Sequence, residues 1–241
     1  MRRAILLLVI AIIFVSGCTV FGKNQFPTNE IKDIKAVELS PTDSMAFNDY
    51  VQKDLKVLNE YHEWWSTLHP LKTLSKFSLT TMASSTLNNS GSYKSANLCD
   101  GKAETAWVPG IKGGIGEWVK INIEAYAALS EYTSTPFSLF EIGVLPGYAK
   151  SSKTWSENNR VKKLLVVAHS PKLAENEWVV YRLNLKDEAR LQVFKIPNDK
   201  IGFSINQMKK EIWLKIEDVY KGTKYDDTCI SEFVAVGGFS N

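Results

Sequence analysis

Cysteine and histidine are scarce in this chain, with three of each in 241 residues. His62 and His69 lie seven residues apart, not at the i, i+4 spacing that lets two imidazoles share a zinc ion, so neither reads as a ligand. There is no Ser-His-Asp order, no zinc-ligand spacing and no phosphate-cradling glycine loop. Charge of one sign is also lacking. The formal net charge is +3, and it falls to +1 without Arg2 and Arg3, which lie in a segment expected to be removed. Lys and Arg are spread along the chain, so nothing in this balance calls for a nucleic acid partner. The unbroken apolar run from Ala4 to Val15 is too short to cross a bilayer comfortably. Internal repeats and low-complexity tracts are absent. What is there is a 44% hydrophobic chain with seven Trp and nine Tyr, enough for one core of good size plus an extension.

The basic start Met1-Arg2-Arg3 and the apolar run have the form of a signal peptide. Val15-Ser16-Gly17-Cys18 resembles the bacterial lipobox, with Val15 standing where Leu is usual. That resemblance implies a signal peptide over 1–17, cleavage before Cys18, and lipidation of Cys18. Two or three acyl chains would hold the protein firmly, since one chain alone binds only marginally. Thr19 stands where an aspartate marks inner-membrane retention in some bacteria, so the expected place is the outer membrane or cell surface of the envelope. Residues 18–39 read as a tether. Ser40-Pro41-Thr42-Asp43 reads as a helix start, with Pro41 at the first helical position and Asp43 favourable to the dipole. Phe47, Val51, Leu58, Tyr61, Trp65 and Leu68 then come at helical spacing, so a helical segment is expected over 40–76, docked by its aromatic stripe on the domain C-terminal to it.

From residue 77 the pattern changes to short strands. Candidates are 77–82, 118–123, 139–144, 163–169, 178–185, 192–196, 211–219 and 230–236, rich in β-branched and aromatic residues and separated by Gly, Pro, Asn and Asp. Such spacing predicts an all-β sandwich or jelly roll over 77–241. Segment 221–232, between the last two strands, carries two lysines, a tyrosine, two aspartates and hydroxyls. It is too polar and varied for a plain hairpin, and a rigid β body is well suited to present such a loop to a ligand.

The residues also carry a resemblance. Asn97-Leu98-Cys99-Asp100-Gly101, Thr105 and Trp107 resemble the N-L-x-D-G-x-x-x-T-x-W segment of discoidin-like, galactose-binding-like domains. Gly114-Ile115-Gly116-Glu117-Trp118-Val119 is similar to their G-x-G-E-W-I strand entry. With Gly147-Tyr148, Asn158-Asn159-Arg160-Val161-Lys162 and Lys224-Tyr225-Asp226-Asp227-Thr228-Cys229-Ile230-Ser231-Glu232, the pattern resembles the bacterial NADase-type glycan-binding domain. That family implies a β-sandwich jelly roll whose loops at one end bind glycans. The glycohydrolase that gives the family its name belongs to a separate domain, so the resemblance implies binding without catalysis.

On that basis Tyr148, Trp155, Asn158, Asn159, Arg160, Lys221, Lys224, Tyr225 and Asp227 are the ligand-site candidates. Amides, carboxylates and a guanidinium suit sugar hydroxyls, and an aromatic face suits the apolar side of a pyranose. Trp155 is a candidate stacking platform. For Arg160 the alternative is an ion pair with Asp226 or Asp227 that fixes two loops. The resemblance also implies a structural calcium on Asp100, Thr105 and Glu232. Lys102 departs from the pattern, and pairing with Asp100 or Glu232 would let it replace the ion. Otherwise the site is a hydrogen-bonded turn. In an exported chain Cys99 and Cys229 are candidates for a disulfide if the chain ends pair as in this fold. Three functions compete: a non-catalytic glycan-binding lipoprotein, an envelope interaction protein using the same loops, and a glycoside-processing enzyme drawing carboxylates from Glu117, Glu131, Asp226, Asp227 and Glu232.

Overall fold

The structure is a computed structural model that describes residues 25–50, 65–67, 77–125, 136–169, 178–197, 201–204 and 209–239. Its strands are β1 (Val37–Leu39), β2 (Asp43–Met45), β3 (Trp65–Thr67), β4 (Phe77–Ala83), β5 (Trp118–Ala125), β6 (Pro136–Pro146), β7 (Asn159–His169), β8 (Trp178–Asn184), β9 (Leu191–Lys195), β10 (Ile201–Ser204), β11 (Lys209–Tyr220) and β12 (Thr228–Phe239). All eight strands expected from the sequence are present. The fold is the all-β jelly-roll sandwich.

One layer runs β8-β7-β11-β5-β4, antiparallel throughout. The other is built on β9-β6-β12, with β10 paired to β6. The layers join where Thr228 and Cys229 at the start of β12 pair parallel to Asn159 and Arg160 at the start of β7. That seam puts the loops before β7 and β12 side by side.

Strand alternation sorts the apolar residues by face. Leu164, Val166 and Ala168 of β7 and Ile212, Leu214 and Ile216 of β11 point inward, to meet Ile142 and Val144 of β6 and Phe233 and Ala235 of β12. Leu165, Val167 and Trp213 point outward, where bare apolar surface would be unfavourable. Phe26, Ile31, Ile34 and Ala36 cover them, with the Phe26 ring edge-on to Trp213 at 6.0 Å. Leu145, Leu191, Val193 and Val234 on the outer face of the second layer are covered by Met45, Phe47 and Tyr50.

The N-terminal part therefore corrects two expectations. Residues 25–39 are not a free tether, because β1 pairs parallel to β8 and the preceding segment packs on the sheet. Ser40 does not start a helix. Asp43–Met45 is a strand antiparallel to β9, and the Thr42 amide and hydroxyl both donate to the Val193 carbonyl, at 2.8 and 3.2 Å. An open sheet edge outcompetes a local helix signal here. Helix begins only at Phe47, whose ring and that of Tyr50 dock on the domain. Trp65, assigned to the helical stripe, lies in β3 and pairs with Gly238. Val51, Leu58, Tyr61 and Leu68 fall outside the described residues.

Candidate functional site

At the seam end, three loops meet. The first comes after β6. Gly147 turns the chain at φ +79, a conformation that favours glycine, and a side chain there would strike Arg160 and Trp155. Ser151 then caps the short helix Ser152–Glu157 with a capping box: its hydroxyl accepts from the Thr154 amide, and the Thr154 hydroxyl accepts from the Ser151 amide. The second loop is 221–227. Its Lys224 and Tyr225 amides donate to the Glu157 carbonyl at the helix end, at 3.1 and 2.8 Å. Gly222 passes so close to the Glu157 carbonyl and Asn158 backbone that no Cβ fits. The third is 84–95, held by Leu87 N–H to Val108 C=O and Val108 N–H to Tyr93 C=O.

Together they enclose a cavity of about 300 Å³ lined by Leu87, Tyr93, Val108, Tyr148, Thr154, Glu157, Asn158, Tyr225, Asp227 and Cys229. Leu87, Tyr93 and Tyr148 pack on an apolar floor of Ala106, Val108 and Cys229. Burial, reinforced by the neighbouring Tyr93 and Cys229, raises the Tyr148 hydroxyl above its ordinary pKa. Tyr225 stands at the mouth, 42% exposed. Aromatic side chains over an apolar floor, with carboxylate and amide groups on the wall, suit a ring with one apolar and one polar side.

Of the nine sequence-predicted ligand residues, the structure brings Tyr148, Asn158, Tyr225 and Asp227 to this cavity. The others are turned elsewhere. Arg160 is buried at 7% exposure and uses four of its five N–H donors: Nε and Nη2 fork onto Asp187 at 3.0 and 2.7 Å, and Nη1 donates to the Asn158 and Lys221 carbonyls. It fixes two loops, as its alternative reading had it, but through Asp187 rather than Asp226 or Asp227. Trp155 is no open platform. Its ring lies under the Arg160 guanidinium, 4.6 Å from centroid to Cζ, and its Nε1 donates to the Pro146 carbonyl. Asn159 is fully buried, donating to Asp226 and accepting from the Gly222 amide, both at 2.8 Å. Lys221 pairs with Asp226 at 2.6 Å, and the Lys224 ammonium lies 4.8 Å from the Tyr225 ring centroid.

Sequence reasoning missed Leu87, Tyr93, Val108, Thr154, Glu157 and Cys229. Thr154 and Glu157 sit within the loop already singled out, directly before Trp155 and directly before Asn158. Leu87 and Tyr93 carried no signal, because the loop 84–95 is far away in sequence and plain in composition.

A second cluster lies where the turn at 100–105 meets β12. The Thr105 hydroxyl donates to Asp100 at 2.8 Å, and the Lys102 amide donates to the same carboxylate at 3.0 Å. Glu232 is buried at 0% exposure, and neither carboxylate oxygen has a hydrogen-bond partner of good geometry. Burial, helped by the Asp100 charge, pushes its carboxyl up to about 10, against the pull of the Gly101, Lys102 and Phe233 amides. The Lys102 side chain is exposed, and among the described residues its ammonium pairs with neither Asp100 nor Glu232, so it does not replace an ion. No group of three or more His, Cys, Asp and Glu side chains converges among the described residues. A cation held here would take Asp100, Glu232, the Thr105 hydroxyl and backbone carbonyls. That oxygen set fits calcium, and the orphaned Glu232 carboxylate is what such an ion would satisfy.

Cys99 and Cys229 correct the disulfide expectation: both are free thiols. Cys99 packs in the main core with Leu98 and Trp107, whereas Cys229 packs with Ala106 and Val108 under the cavity. Ile230, the next residue of β12, is the one that points to Cys99's side. Strand alternation thus sends the two sulfurs to different faces.

The fold and this loop end define a discoidin-like β-sandwich. Residues 75–236 match the family described as the NAD glycohydrolase translocation F5/8 type C domain, and the chain belongs to that family. Among solved structures it is similar to the family 32 carbohydrate-binding module of Clostridium perfringens NanJ in complex with galactose (12% identity, 71% of this chain and 98% of that one, TM-score 0.45). It is also similar to the family 32 module of Streptococcus pneumoniae EndoD (10% identity, 70% and 98%, TM-score 0.47). A third is the CBM32-1 and CBM32-2 pair of C. perfringens ZmpB in complex with GalNAc (9% identity, 86% and 40%, TM-score 0.49). A comparison with curated proteins gives no match.

Proposed function

We propose that the protein binds a glycan or glycoconjugate in the cavity between Tyr93, Tyr148 and Tyr225, without altering it. The observation that carries this reading is the convergence of three loops on one concavity whose walls alternate aromatic faces with Asn158, Asp227 and Glu157. Stacking on a tyrosine face and paired hydrogen bonds from amide and carboxylate are how a pyranose is held. Membership of the F5/8 type C family supports it. Two of the carboxylates considered for hydrolysis are engaged: Glu117 accepts from Ser84 and Ser85, and Asp226 from Lys221 and Asn159.

Asp100, Thr105 and Glu232 are the residues that would hold a structural calcium, tying the turn before Trp107 to the last strand. Cys18 is the proposed lipid anchor, in the bacterial envelope. It lies outside the described residues, and no described helix is long and apolar enough to cross a membrane.

The test is a glycan array with the purified protein, with and without calcium, then turnover assays on any sugar bound. Specific binding that falls about two- to twelvefold in Tyr148→Ala or Tyr225→Ala is expected, from the ~0.5–1.5 kcal/mol that an aromatic contact contributes. A folded protein that binds no glycan on the array, or one that cleaves what it binds, overturns the reading.

A further inference from the structure

The cavity has a charge pattern that glycan binding as such does not require. Two carboxylates line it, Glu157 and Asp227, and no Lys, Arg or His does. The neighbouring cations are committed to other partners. Lys221 holds Asp226 at 2.6 Å, and Arg160 is forked onto Asp187 behind Trp155. Among the described residues no hydrogen bond or ion pair reaches either lining carboxylate group. The Lys224 ammonium is held first by the Tyr225 side chain, 4.8 Å from its ring centroid, and is attracted by Glu157 through space. One lysine against two carboxylates leaves the wall net negative.

The aromatic lining agrees with this sign. A tyrosine face is the negative end of the ring quadrupole and accepts a cation. The Lys224 ammonium already lies 4.8 Å from the Tyr225 centroid, drawn to that side chain. A ligand group entering between three tyrosines and two unpaired carboxylates meets more negative than positive charge, with Lys224 at the Tyr225 ring the one cation close by.

Resting on the glycan reading above, we propose that this cavity selects sugars by charge. It takes an amino sugar in its free, ammonium-bearing form ahead of the neutral N-acetylated form, and it excludes uronates and sulfated sugars. The ammonium binds the Glu157 and Asp227 carboxylates, while the ring stacks on tyrosine.

The test uses the protein with hexosamine, N-acetylhexosamine and hexuronate in the galacto and gluco series, titrated by calorimetry at a pH where the amine is protonated. The expected order is amine over N-acetyl by about tenfold, with no measurable hexuronate binding. Glu157→Gln/Asp227→Asn brings the amine-to-acetyl ratio toward one. Raising the salt to 0.5 M shrinks the ratio in the unaltered protein, which keeps charge selection testable should the double variant fold poorly. Equal binding of amine and N-acetyl forms, or hexuronate binding as tight as either, overturns charge selection and leaves glycan binding standing. Binding of none of these sugars by the folded protein counts against glycan binding itself, and charge selection falls with it.

Discussion

Arg160→Ala separates a residue that shapes the site from one that touches the ligand. The side chain is buried and makes four hydrogen bonds, two to Asp187 and one each to the Asn158 and Lys221 carbonyls, with Trp155 stacked on its plane. Breaking a buried ion pair by removing one partner costs about 3–5 kcal/mol. The Asp187 side chain is 39% exposed and regains water, so its share is discounted. The two carbonyls and the lost stack remain, at about 1 kcal/mol each. The expected loss is about 3 kcal/mol, or a fall in Tm of roughly 6–12 °C for a domain of this size. Arg160→Lys keeps the charge but not the fork, and should recover no more than about half of that loss. The assay is urea unfolding of the three proteins in parallel with binding to the best array ligand. Should Arg160→Ala unfold within about 0.5 kcal/mol of the unaltered protein yet lose binding, the guanidinium touches ligand and the positioning role is wrong.

The buried Glu232 carboxyl, raised from an ordinary 4.5 to about 10, keeps its proton in the folded state after the unfolded chain has lost its own. Its contribution is therefore fully present below pH 4.5 and is lost as pH rises toward 10, by at most about 1.4 kcal/mol per pH unit. Calcium has to displace that proton, so the Tm increase it gives should grow with pH over the same window; Glu232→Gln should flatten the metal-free slope and remove the calcium effect. A slope of opposite sign, or an equal calcium shift in the variant, counts against this account. Burial raises both the Cys99 and Cys229 thiols above their ordinary pKa, so neither should react with a thiol reagent until the protein unfolds, and reducing and non-reducing gels should match. Gly222→Ala places a methyl group against the Glu157 carbonyl and should lower stability by about 1–3 kcal/mol while weakening binding, read by the same unfolding and calorimetric titrations.

The sandwich was legible because its long strands carry their own pattern. β5 and β11 carry inward apolar residues at every second position (Val119, Ile121 and Ile123; Ile212, Leu214 and Ile216), β7 carries a run of apolar and β-branched residues, and both patterns survive without tertiary context. The four strands that went unread, β1, β2, β3 and β10, are three or four residues long. Nothing so short shows a period; their pairing is decided by edges made elsewhere in the chain. Ser40-Pro41-Thr42-Asp43 is the clearest case, since every local preference for a helix start is present and the edge of β9 still takes the segment. The outward aromatics were invisible for a related reason. Trp213 reads as one more core residue of β11, and only the structure shows it on the far face, under Phe26.

The site was half legible, and the half that failed obeys a physical rule. Loop residues with many donors and acceptors attract notice as ligand contacts, but a loop at a sheet end has its own buried polar groups to satisfy first. Asn159, Arg160 and Thr228 are all buried, and their polar groups meet backbone or side chains of neighbouring loops: Gly222 and Asp226, Asp187 and Lys221, and Gly113. Such residues set the shape of the rim and have little left to offer a sugar. The residues with capacity to spare are those the loops do not need, such as Glu157 and Asp227 with their unengaged carboxylates and Tyr225 with its exposed ring. The two kinds are therefore separable by experiment. Changes at Asn159, Arg160 and Thr228 should move stability first, whereas changes at Tyr225, Glu157 and Asp227 should move affinity and specificity at nearly constant stability. If the cavity binds as proposed, the same β body can carry different ligand preferences by exchanging only wall residues, because the hydrogen bonds that close the rim lie behind that wall.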